Sequence, residues 1–354
     1  MVDLTPSDLE NMKLHKYATT GYTALDNKLN PFWTWCAARL PYKYSPNMVT
    51  VTGLSCQIAA ITLIGLNDLT LSKELNPLIY VFCAFMLFMA QTFDAIDGKH
   101  ARNTKRSSSL GQLMDHGCDA NDNYLFTLMI AQAHLLGNNI TVLLCEIGVQ
   151  LSFYIFTLEE NITGVLRTQV SNIGVTEYQY LSMFVIIFPA IFGHKLSIME
   201  IGGIKLTTYA MIIVYILGLY QVYYIIKSNS KDFKDGWRKW SHLSVMVIFI
   251  LAELLSSRLY IYKTMPFLVV LINGLFFTLI VSKLIICTMA KKKFTHFDID
   301  ILFYSIAIVT AWLLNTYVFN CIIFACLTSW FSYRYYLEVI YAIFKMMDYL
   351  KIPF

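Results

Sequence analysis

Long apolar runs broken by short polar stretches leave this chain few ways to fold. Windows of apolar density fall at roughly 49–67, 77–95, 120–136, 140–157, 179–193, 207–226, 242–257, 266–289, 300–318 and 321–343. A helix needs about 20 apolar residues to cross a bilayer, so the pattern predicts an all-α polytopic membrane protein with about ten transmembrane helices. Of the 354 residues, 57% are apolar and 14% charged, where soluble domains run near a quarter charged. Little chain remains for a soluble domain, and function has to sit in the helices or in short loops.

Loop charge orients these spans. Lys99, Arg102, Lys105 and Arg106; Arg167; Lys227, Lys231, Lys234, Arg238 and Lys239; and Lys291, Lys292 and Lys293 fall in alternate loops. The positive-inside rule puts those loops in the cytosol, together with both termini when the spans number ten. The net charge of +4 suits loops beside anionic lipid heads and is too small for a nucleic-acid partner. The first ~20 residues lack the apolar core of a cleavable signal. Eight scattered cysteines show no paired spacing for zinc or disulfides. Before the first span, Leu25, Leu29, Phe32, Trp33, Cys36 and Leu40 recur at helical spacing, which predicts an amphipathic helix in the headgroup layer or packed on the bundle. Without internal repeats, a single domain in three parts is expected: an N-terminal cytosolic segment with the interfacial helix (1–48), catalytic helices (49–230) and C-terminal transmembrane helices (231–354).

One window departs from the rest. Residues 91–123 gather Asp94, Asp97, Asp115, Asp119 and Asp122 at the end of one apolar span and the start of the next. Carboxylates beside hydrocarbon require a metal, a basic partner or a watery functional cavity. Asp94 and Asp97 are three apart and Asp115 and Asp119 four apart, so on helices each pair shares a face. Two such faces bring four acids to one point, where hard divalent cations such as Mg²⁺ or Mn²⁺ would relieve their repulsion. Magnesium binds substrate phosphates through its open positions, which points to phosphoryl chemistry. Gly98 and Gly111 let a ligand approach the backbone beside the acids, and the fork of Arg102 suits a diphosphate.

Asp94-x2-Asp97-Gly98-x2-Ala101-Arg102-x8-Gly111-x3-Asp115-x3-Asp119 resembles the complete signature of the CDP-alcohol phosphotransferases. Pro46-Asn47-Met48-Val49-Thr50 with Gly53 is similar to the segment that opens that family's first span. The upstream His15-Lys16-Tyr17, Asp115-His116-Gly117-Cys118-Asp119 and Val175-Thr176-Glu177 resemble its eukaryotic choline and ethanolamine branch. The second half of the chain matches only in hydropathy and span count.

The resemblance implies transfer of phosphocholine or phosphoethanolamine from CDP-choline or CDP-ethanolamine to diacylglycerol, with release of CMP. On these positions Asp94, Asp97, Asp115 and Asp119 hold the metal, expected as two Mg²⁺ (or Mn²⁺) ions. Asn47, Asp97, Gly98, Ala101, Arg102 and Gly111 meet the CDP moiety. A general base works best with a pKa near the working pH, which favours His116 over a metal-bound aspartate. Asp119 is its alternative and Glu177 its expected partner. Membrane lipids surround such an enzyme, a homodimer is compatible with it, and an endoplasmic reticulum or Golgi membrane with a cytosol-facing site is expected. The rivals are a CDP-alcohol phosphotransferase that uses inositol or glycerol phosphate, and an ion transporter.

Overall fold

The computed structural model describes residues 4–15, 22–167, 169–170, 173–229, 243–292, 294 and 298–352. Along the chain run α1 (Pro6–Leu14), α2 (Ala24–Arg39), α3 (Pro46–Asn67), α4 (Pro77–Asn103), α5 (Ser109–Ala133), α6 (Ile140–Thr163), α7 (Val175–Phe192), the one-turn α8 (Lys195–Ile198) and α9 (Leu206–Ser228). They continue as α10 (Leu243–Ser256), α11 (Tyr260–Thr264), α12 (Pro266–Ala290), α13 (Ile299–Leu314), α14 (Tyr317–Tyr335) and α15 (Tyr341–Leu350), the last two joined through a π turn at Tyr336–Ile340. Among the described residues the only strands are two antiparallel pairs of two residues each. They join Gln169–Val170 to Ile173–Gly174 and Glu200–Ile201 to Ile204–Lys205.

The apolar windows fall mainly on helices, but 300–318 crosses the break between α13 and α14, and 321–343 runs from α14 through the π turn into α15. Among the described residues six helices are long and apolar enough to cross a membrane, namely α3, α4, α6, α7, α9 and α12, while α10 and α13 are apolar but shorter. The protein is a polytopic helical membrane protein. Two boundaries differ from the windows in a way that matters for function: α4 runs on to Asn103 and α5 begins at Ser109, not near 120. Apolar density falls where acids enter, but the hydrogen-bonded helix continues through them. All five aspartates of the acidic window therefore stand on rigid helix, with only residues 104–108 between.

Local chemistry sets the helix starts. Proline occupies the first helical position of α3, α4 and α12, where its missing N–H would have had no partner anyway. Thr23 and Asp26 cap α2 reciprocally, at 3.1 and 2.9 Å. At α5, the Ser108 hydroxyl accepts the Gly111 N–H at 3.2 Å.

The bundle is built around α12. In its most apolar window 89% of the residues are buried, against 17% for the peripheral α9. It packs tightly on α5: a Cβ at Gly274 would lie 2.1 Å from the Tyr124 ring. At the periphery α6 and α9 cross backbone to backbone, since a Cβ at Gly218 would lie 2.3 Å from the Gly148 carbonyl oxygen, the small-residue contact that lets membrane helices approach closely.

The amphipathic α2 does both things its sequence allows. Trp33 and Ala37 are buried with Val49 and Ile96 on α3 and α4, while Phe32 and Trp35 remain exposed. The N-terminal α1 docks on the C-terminal helices. Asn11 donates to the Ala290 carbonyl at 3.2 Å, Tyr349 donates to Glu10 at 2.6 Å, and Lys292 pairs with Asp8 at 2.8 Å. Burial works against ionisation of Asp8, but Lys292 and Thr5 outweigh it and hold the carboxyl below its ordinary range. Lys16 and Tyr17 of the upstream motif, and Lys231, Lys234, Arg238, Lys239 and Lys293 of the charge argument, lie outside the described residues.

Candidate metal centre

Helices α4 and α5 bring the acids together across their short connection. One oxygen each from Asp94, Asp115 and Asp119 lies within 4.8 Å of the others. Asp115 Oδ1 is buried with no hydrogen-bond partner, and among the described residues no lysine or arginine forms an ion pair with any of these three carboxylates. Three mutually close oxygens, one of them buried and unpaired, are a donor set that fits a hard divalent cation. Asp97 stands outside this triangle. It is buried and accepts the Thr50 hydroxyl from α3, because one turn along α4 the carboxylate meets the first turns of α3.

Two of the glycines have polar side chains as neighbours. A Cβ at Gly111 would lie 3.8 Å from Asn47 Oδ1, so Asn47 borders the start of α5, and a Cβ at Gly98 would lie 3.5 Å from the Arg102 guanidinium. Arg102 is exposed and Ala101 half-buried on the last turn of α4. Gly53 brings α3 onto α4, where a Cβ would lie 3.2 Å from the Ala90 carbonyl oxygen.

His116 is buried on α5. The carboxylate beside it is Glu160 on α6, 4.0 Å from His116 Nδ1, and Gln112, one turn before His116, donates to the other Glu160 oxygen at 3.0 Å. Glu177, expected as the partner of His116, instead accepts the Gly174 N–H at 2.9 Å and caps α7. As the third residue of that helix it lies within reach of an N–H that has no carbonyl partner in the first turn. The same helix start does border the site, because Gln179 lines the pocket next to the acids.

That pocket opens between four helices. Thr50, Gly53, Leu54 and Gln57 line it from α3, Ala90 and Asp94 from α4, Cys118, Asp119 and Asp122 from α5, and Gln179 from α7. Asp122 receives hydrogen bonds from Gln57 at 2.8 Å and from Gln179 at 3.5 Å. Gln57, Gln179, Gln112 and Glu160 were not singled out in sequence. A signal existed for Gln57, a polar residue two turns after Thr50 on one face of an apolar span, and for Gln112, one turn before His116.

A family model described as CDP-alcohol phosphatidyltransferase matches residues 43–250. The chain belongs to this family. The match takes in every aspartate of the centre, and the family accounts for the acidic cluster through its divalent metal and its CDP-alcohol phosphotransferase activity. Among relatives, cholinephosphotransferase 1 of Rattus norvegicus is 26% identical over 304 residues, covering 82% of this chain and 76% of that protein. Cholinephosphotransferase 1 of Gallus gallus is 34% identical over 194 residues, covering 54% and 56%. An uncharacterized CDP-alcohol phosphatidyltransferase class-I family protein 1 of Dictyostelium discoideum is 27% identical over 315 residues, covering 84% and 80%.

Proposed function

We propose that this family member transfers phosphocholine or phosphoethanolamine from the CDP-alcohol to diacylglycerol, releasing CMP and forming phosphatidylcholine or phosphatidylethanolamine. The observation that carries the reading is the triangle of Asp94, Asp115 and Asp119 oxygens within 4.8 Å at the wall of a pocket. The names of the rat and chicken relatives support the choline side of it.

Asp94, Asp97, Asp115 and Asp119 would hold two Mg²⁺ or Mn²⁺ ions. When bound, such ions neutralise the diphosphate and stabilise the departing CMP oxygen. Around them, Asn47, Gly98, Ala101, Arg102 and Gly111 receive the nucleotide: small residues admit it and the Arg102 fork binds phosphate oxygens. The acceptor hydroxyl arrives from the bilayer and attacks the β-phosphorus in line. An O–P bond to the lipid forms, the O–P bond to CMP breaks, and the hydroxyl proton passes to His116 Nε2 or Nδ1 and then to solvent. Glu160 orients the imidazole from α6, and Glu177 shares the proton from the first turn of α7. If His116 only packs, Asp119 takes the base role.

The same reading makes all ten apolar windows membrane crossings, with segments 1–48, 49–230 and 231–354 as interfacial, catalytic and C-terminal parts. The site faces the cytosol of an endoplasmic reticulum or Golgi membrane, in a monomer or homodimer. The test is purified protein with Mg²⁺, diacylglycerol and either labelled CDP conjugate, followed by lipid chromatography. Labelled phospholipid and stoichiometric CMP are expected. No lipid product from either conjugate, with turnover of inositol or glycerol phosphate or with cation flux into sealed vesicles, would sink the proposal.

A further inference from the structure

Past the metal-binding triangle the pocket continues one turn along α5 to Asp122. No lysine or arginine among the described residues forms an ion pair with it. Its hydrogen bonds come from the amide nitrogens of Gln57 and Gln179. Gln57 Nε2 is used in this way, and Gln57 Oε1, on a side chain only 4% exposed, is left with no donor. The deep end of the pocket thus offers a carboxylate and an orphaned amide oxygen, both acceptors, and asks for a ligand that is positively charged and carries N–H groups. None of the residues lining the pocket is aromatic, so it holds no ring over which a quaternary ammonium would sit.

Spacing connects this end to the chemistry. Asp122 follows Asp119 by three residues, a rise of ~4.5 Å along the helix. In a 2-aminoethyl diphosphate the nitrogen stands four bonds from the β-phosphorus (P–O, O–C, C–C, C–N), a similar reach. With the diphosphate at Asp94, Asp115 and Asp119, the nitrogen is within reach of Asp122 and Gln57.

We infer that Asp122 and Gln57 select the head group by accepting N–H bonds from a primary ammonium, and so favour the 2-aminoethyl conjugate over its trimethylated counterpart. The inference rests on the phosphotransfer reading above. A trimethylammonium keeps the charge but has no N–H, leaves Gln57 Oε1 unsatisfied, and presses methyl groups on polar atoms. A site built to hydrogen-bond an N–H rejects the analogue that lacks it far more strongly than an apolar pocket rejects an extra methyl.

The experiment uses the full-length protein in lipid vesicles with Mg²⁺ and diacylglycerol, and four CDP-alcohols whose nitrogen carries zero, one, two or three methyl groups. In the wild type kcat/KM falls with methylation, by more than ~200-fold across the series, beyond what an apolar pocket achieves against one extra methylene. In Asp122→Asn and in Gln57→Leu the series flattens, with the change mainly in KM, because the head group keeps these contacts in ground and transition states alike. A wild-type series that is flat or rises with methylation overturns the inference without any variant having to fold, and so do variants that scale all four substrates by one factor. Absence of turnover with every conjugate would instead refute phosphotransfer itself, and the inference with it.

Discussion

Two groups of acids in this protein, one buried near the C-terminus and one half-buried on α4 and α5, have opposite solutions to the same electrostatic problem. Near the C-terminus, Asp298, Asp300 and Glu338 are met by the protein's own cations. Lys283 pairs with Asp298 and, at 2.7 Å, with Asp300; Arg334 reaches Asp300 at 2.7 Å and Glu338 at 2.6 Å; and Trp330 donates to Asp300 at 2.8 Å. On α4 and α5, Asp94, Asp115 and Asp119 crowd within 4.8 Å with no such partner among the described residues. Charges that the chain neutralises itself hold helices together, here α12, α13 and α14. Charges it leaves unneutralised at a pocket suit the divalent metal that the family uses.

The difference shows most when one charged residue is removed from each group. Asp115→Ala is expected to cut CMP release by ~10³-fold or more, the scale for losing one member of a unit that works together. Its thermal unfolding midpoint should not fall, since one fewer like charge relieves repulsion. A marked loss of thermal stability would show the triangle to be structural. His116→Ala should lower kcat ~10²–10⁴-fold, the usual worth of a general base, with KM for the CDP conjugate near wild type; a loss confined to KM would remove histidine from the proton path.

The C-terminal group should behave in the reverse way. Lys283→Ala leaves Asp298 and part of Asp300 uncompensated in a buried place, and breaking such a pair destabilises by about 3–5 kcal/mol. The folded fraction should keep its kcat, and a normal melting curve with lost activity would mean that this network serves catalysis. Smallest is the effect of Asp8→Asn on the docking of α1, less than about 1 kcal/mol for a partly exposed pair. Because Lys292 and Thr5 hold the folded-state pKa of Asp8 below its ordinary value, its contribution is present above the ordinary carboxylate pKa of about 3.9. It is lost as pH falls through the lower folded value. The stability gap between variant and wild type should therefore be open at neutral pH and closed in strong acid, and a gap independent of pH would exclude the ion pair as its source.

What could be read in the sequence follows from how far apart the interacting residues lie. Asp94 with Asp97, and Asp115 with Asp119, share helix faces by spacing alone, so the acidic face and the two flanking helices were legible. The partners that complete the pocket were not. Gln57 precedes Asp122 by 65 residues and Gln179 follows it by 57, and no period links them. Glu177 has a local use that its motif does not announce, capping α7 three residues past Gly174, and Glu160, 4.0 Å from His116, comes from a separate helix that no spacing in the motif points to. The C-terminal network was also hidden, because Asp300 and Arg334 stand 34 residues apart on helices that read as plain spans.

On the proposed reading, Asp94, Asp115 and Asp119 have no lysine or arginine partner among the described residues because a divalent cation pairs them. The most direct test of that reading is CMP release by the purified protein after exhaustive chelation with EDTA, followed by titration with Mg²⁺ or Mn²⁺, for the wild type and Asp115→Asn. Activity should vanish on chelation and return with either ion in the wild type, and should not return in the variant at the same metal concentrations. Wild-type turnover that persists in the chelated protein would contradict the account.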